Sequence, residues 1–100
     1  MEFMQGFIGA VIEVTCEIDG DTDISAATVK RIYLKPPGED AVAKTASFTG
    51  TGTDGKIRWT STATTDLDDT GDWQGQAYLE HPSYSGYVGI PFGFRVLPHL

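Results

Sequence analysis

The stretch that decides the fold is Tyr87-Val88-Gly89-Ile90-Pro91-Phe92-Gly93-Phe94-Arg95-Val96. Its apolar residues Val88, Ile90, Phe92, Phe94 and Val96 recur at every second position. Successive side chains of a strand point to opposite faces, so this spacing puts all five on one face. Pro91 has no N–H to offer a neighbour, which marks the strand as an edge or as bulged there. Upstream, Trp73, Gly75, Ala77 and Leu79 repeat the pattern, and His81-Pro82-Ser83-Tyr84-Ser85-Gly86 between them reads as a loop.

Further outward the period is still two. The even positions Ile8, Ala10, Ile12, Val14, Cys16 and Ile18 are apolar, while Glu13, Thr15 and Glu17 are polar. This predicts a half-buried strand, bent near Gly9 and ended by Asp19-Gly20-Asp21. A second strand is expected over residues 27–35, with Ile32 and Leu34 inward; Pro36-Pro37-Gly38 stops it. A weaker strand over 42–49 reads as an edge that Lys44 protects. Thr53-Asp54-Gly55-Lys56 is a hairpin signal, because Asp-Gly suits a turn with positive φ. It leads to Ile57 and Trp59 on a shared face, then to a Thr/Asp-rich link over 60–72.

About seven short strands separated by turn signals, with no helical stripe, predict an all-β antiparallel sandwich. It forms one domain over residues 1–100, with 1–7 as an N-terminal extension or arm. The expected core is Ile12, Val14, Ile32, Leu34, Trp59, Trp73, Leu79, Phe92 and Phe94.

Composition narrows the function classes. One hundred residues, 40% hydrophobic and 11% aromatic, make one globular domain. Seven Lys and Arg stand against 14 Asp and Glu, a net charge of −7. The cations are scattered, so no basic face is expected for nucleic acid or for an anionic membrane. A single cysteine, Cys16, rules out an internal disulfide and a thiolate zinc site. The absence of Asn removes any N-glycosylation sequon. Residues 1–6 lack the basic and apolar regions of a signal peptide, which predicts synthesis in the cytoplasm.

The chemistry-bearing candidates are few. Asp19, Asp21 and Asp23 have the alternating spacing of a calcium loop, and Asp66 and Asp68 begin a second one. The twelfth positions, Lys30 and Ala77, supply no bidentate carboxylate, so both runs read as solvated turns and no cofactor is expected. The imidazoles, His81 and His99, have no implied nucleophile and orienting acid beside them, and the chain reads as non-enzymatic. Gly50-Thr51-Gly52-Thr53-Asp54-Gly55 imitates a nucleotide fingerprint, but it lies between two strands and reads as a hairpin loop. Tyr84 and Tyr87 flank Ser85-Gly86 in a composition suited to adaptable recognition. Phe3, Met4 and Phe7 form an apolar end that would fold back on the core or pack on a neighbouring subunit.

The motifs in order carry a family resemblance. They are Asp23-Ile24-Ser25-Ala26-Ala27-Thr28-Val29, Ile32-Tyr33-Leu34-Lys35-Pro36-Pro37-Gly38, Asp54-Gly55-Lys56-Ile57-Arg58-Trp59, residues 66–77 from Asp66 to Ala77, and Phe94-Arg95-Val96. The chain resembles the small immunoglobulin-like domains of tailed bacteriophages, such as the N-terminal domains of baseplate upper proteins. It differs in carrying Trp59 where that family often has Tyr. The resemblance implies an immunoglobulin-like sandwich, with Trp73 at the corner before the strand called F. It implies a structural virion protein of the tail, baseplate or fibre attachment, or alternatively a capsid decoration or head-fibre protein. Its expected partners are other virion proteins or a second copy. The residues leave a carbohydrate- or cell-surface-binding module open as a rival, using Tyr84 and Tyr87.

Overall fold

A computed structural model describes all residues 1–100. Its elements are strands: β1 Glu2–Met4, β2 Val11–Thr15, β3 Val29–Lys35, β4 Val42–Thr45, β5 Ser47–Phe48, β6 Lys56–Thr60, β7 Gly71–His81 and β8 Tyr84–Leu97. One sheet has the order β1-β8-β7-β3-β4, the other β2-β6-β5. The all-β sandwich is thus the observed fold. In immunoglobulin lettering, β2, β6 and β5 take the places of B, E and D, and β8, β7, β3 and β4 those of G, F, C and C′.

The sheet is not purely antiparallel. β1 runs parallel to β8, with Glu2, Phe3 and Met4 opposite Arg95, Val96 and Leu97. Residues 2–4 are therefore a sheet strand and not a free arm.

The alternation sorts the core as the period requires. Ile12, Ile32, Leu34 and Leu79 are completely buried, and Trp59, Trp73 and Phe94 are buried beside them. Val14 and Phe92 sit at the margin, packed against the core without being enclosed. The Phe92 ring occupies the space that a side chain on Gly75 would need, which explains the glycine on a buried phase. Ile24 and Leu67 complete the core from loops, where no period announces them.

Three expectations change. The strand expected over 8–18 pairs only at Val11–Thr15, and Ile8 is exposed. The chain turns at Asp19-Gly20, both at positive φ, closing an Ile18–Asp21 bridge. The strand expected over 42–49 divides at buried Ala46: β4 pairs β3 in one sheet, β5 pairs β6 in the other. β4 is an edge of its sheet, as expected, and its Lys44 is anchored there: the Nζ lies 3.1 Å from Asp66 Oδ1 and over the Trp59 ring. The stretch 81–86 is not a loop, because His81 and Tyr84 pair directly across Pro82-Ser83.

Pro91 acts as its chemistry dictates. Gly75 faces Phe92 and Ala77 faces Val88, so three residues of β8 stand opposite Gln76 alone. That bulge, with Gly89 at φ 75°, turns Ile90 out to 88% exposure, against its inward phase in sequence. At the other end of β7, the Trp73 indole N–H donates to the Asp69 carbonyl at 2.8 Å. This tie across the corner is the role that a tyrosine hydroxyl plays in immunoglobulin domains.

Candidate functional site

The outer face of the five-stranded sheet holds the one aromatic cluster that the core does not use. Register places Tyr33 opposite Gln76, Arg31 opposite Tyr78, and Tyr78 opposite Tyr87. The three tyrosine rings touch in a triangle, with centroids 5.8 Å (Tyr33–Tyr78), 5.3 Å (Tyr33–Tyr87) and 5.5 Å (Tyr78–Tyr87) apart. Two of the contacts are edge-on, the geometry that suits the charge distribution of aromatic rings.

Polar groups fix one side of this platform. The Tyr78 hydroxyl donates to Glu80 Oε2 at 3.3 Å, and Arg31 lies over the Tyr78 ring. Desolvation, then the Glu80 carboxylate, push the Tyr78 phenol up, so it stays protonated as a donor. On the other side Tyr33, Lys35, Gln74, Gln76, Tyr87 and Pro91 border a shallow depression of about 200 Å³. Gln76 Nε2 donates to the Gly89 carbonyl, which ties the bulge to the platform. Rings flanked by amide, ammonium and guanidinium groups can stack on a flat apolar surface while bonding its polar rim.

Tyr84 and Tyr87 do not form one recognition loop. They lie on opposite faces of β8: Tyr87 is 58% exposed on the platform, while Tyr84 packs against the core. Tyr84 stacks on His81 at 4.4 Å between centroids. His81 Nδ1 accepts the Ser83 N–H, so the imidazole is committed to the turn. The apolar N-terminal end also divides. Phe3 packs edge-on against Phe94 at 5.7 Å and belongs to the fold. Met4 and Phe7 remain exposed.

The aspartates serve turns. Asp21 Oδ1 accepts the Asp23 N–H, and Asp23 Oδ1 accepts both the Ser25 N–H and hydroxyl. Those Ser25 bonds, the hydroxyl first, hold the Asp23 carboxyl below its usual range. Asp66 Oδ2 accepts the Thr62 and Ala63 N–H groups. No three His, Cys, Asp or Glu side chains are arranged to hold a metal ion. Asp19 is exposed in its turn, and Asp68 is exposed beside the Thr65–Asp69 groove.

Sequence reasoning passed over Tyr33 and Tyr78. The available signal was their phase: each is offset by one from residues assigned inward, Ile32 and Leu34 on β3 and Leu79 on β7. Compared with known proteins, the sequence matches no protein-family model and no curated protein significantly.

Proposed function

We propose that the chain is a non-enzymatic, immunoglobulin-like structural domain of a tailed phage particle that works by surface contact. The observation that carries the contact role is the tyrosine triangle, three rings packed together on an outward face. The virion setting rests on the order of the turn-and-strand motifs that resemble phage immunoglobulin-like domains. Its partners are then other virion proteins at the tail, baseplate or fibre attachment; capsid decoration is the alternative position. Gold-tagged antibody against the chain, viewed on purified particles, tests this. Label at the tail or over the capsid supports the reading and separates its two forms. Bare particles overturn it.

A glycan-binding reading has one specific observation in its favour: Gln74, Gln76 and Lys35 border the same rings. Aromatic faces stack on sugars while such groups bond their hydroxyls. On a glycan array, saturable binding by the isolated monomer, abolished by Tyr87→Ala, would favour it over a purely structural role.

A further inference from the structure

The open flank of β8 is a second feature, separate from the tyrosine platform's flat face. β8 has 14 residues, yet β1 pairs only with Arg95–Leu97. From Tyr84 to Gly93 no strand lies beyond β8 on the side away from β7. In an antiparallel ladder alternate residues turn their N–H and C=O away from the partner, so this flank presents unused backbone groups.

Proteins normally guard such edges with charge, proline or brevity. The other edges obey. β5 is two residues long, β2 carries Glu13, and β4 carries the anchored Lys44. The run Tyr84-Ser85-Gly86-Tyr87-Val88 has no charged residue and no proline. The bulge and Pro91 come only after it, where they would end pairing rather than prevent it.

A groove of about 360 Å³ follows this edge. One wall is β8, including Tyr84, Tyr87 and Val88; the other is the turn Glu17, Ile18 and Asp19. Glu17 and Asp19 are exposed, and no lysine or arginine lines the groove. A strand laid here would place alternate side chains against those carboxylates. A second copy of this chain, with net charge −7, is a poor match to that wall.

We propose that the β8 edge from Tyr84 to Val88 accepts an extended segment of a partner protein as an added strand, one bearing lysine or arginine toward Glu17 and Asp19. Backbone pairing gives the affinity, and the acidic wall selects the sequence. The proposal does not depend on the virion setting.

The test is a titration of the isotope-labelled chain, followed by its amide resonances, with peptides about eight residues long. One peptide alternates valine with lysine, a second alternates valine with glutamate, and a third is the lysine peptide with a central proline. The expected result is saturable shifts at Ser85–Val88 and Glu17–Asp19 with the lysine peptide alone. Glu17→Lys combined with Asp19→Asn should weaken that binding roughly fivefold to tenfold while the spectrum stays folded; Asn tolerates the left-handed conformation at Asp19. Equal binding of the glutamate or proline peptide overturns the proposal. So do shifts centred on Tyr33 and Tyr78, absence of saturable shifts, or concentration-dependent self-pairing through Tyr84–Val88.

Discussion

At its C-terminal end β8 lies between two strands, and Phe94 is held by the rings of Trp73 and Phe3, each 5.7 Å away. At its N-terminal end only β7 pairs with it, and Tyr87 stands 58% exposed. Both ends are aromatic, β-rich and backed by the same neighbour. What separates them is a three-residue strand, β1, which seals one flank and stops short of the other. Closure of an edge is thus decided by the partner strand, whatever the edge itself is made of.

The comparison can be broken most directly at its closed end. Phe94→Ala is expected to cost about 3–5 kcal/mol of unfolding free energy in urea, because it removes a buried ring from between two others. A loss below about 1 kcal/mol would mean that the closed end contributes no more than an ordinary surface position.

The open end is open at its flank and not at its floor. Gly55 sits at φ 77°, and a Cβ there would run into the Cys16 carbonyl oxygen and meet Thr22. Gly55→Ala should therefore cost about 1–3 kcal/mol, measured in the same denaturation series. The Cys16 thiol reports on the same floor. It is fully buried, and burial pushes its pKa up to about 11. Thiol labelling at pH 8 should follow the opening of the structure and run far slower than in the unfolded chain. Labelling as fast as in denaturant would show a loose floor.

A smaller effect ties the β4 edge to the rest. The Thr62 N–H, then Lys44 and the Ala63 N–H, hold the Asp66 carboxyl below the usual aspartate range. A lowered folded-state pKa gives stability that is present above the unfolded value, about 3.9. That stability is lost as pH falls through the lowered one. Asp66→Asn should therefore lower the melting temperature at pH 7 and flatten its fall below about pH 4. An unchanged acid slope would remove Asp66 from the account. Smallest of all, Tyr87→Ala should change stability by less than about 1 kcal/mol. A loss matching that of Phe94→Ala would erase the distinction between the two ends.

Much of the fold is legible in the sequence. Inward phases at Ile12, Ile32, Leu34, Trp59, Trp73, Leu79 and Phe94 follow from period two alone; the missing N–H of Pro91 points to an edge or a bulge, and β8 is bulged beside it. The errors fall where local signals mislead. Pro82-Ser83 looks like the start of a long loop, but two residues are enough to close a hairpin. Ile90 keeps the apolar phase, but the bulge shifts the register beneath it. The division at Ala46 is invisible, because a strand that changes sheets keeps its alternation. Of the candidate site, Tyr84 and Tyr87 read as one loop, but Tyr87 is exposed and Tyr84 packs against the core, since their sequence nearness hid their opposite phases.

By itself the sequence determined the strand class, the inward residues and the acidic charge, because periodicity and ionisation belong to each residue and its near neighbours. Only the tertiary structure decided which strands meet. Tyr33, Tyr78 and Tyr87 become a platform because three strands stand in register. β8 keeps an open flank because β1 ends at Met4. Pairing between distant segments depends on competing ways of burying the same surfaces and satisfying the same backbone groups, and no local pattern records which of them wins.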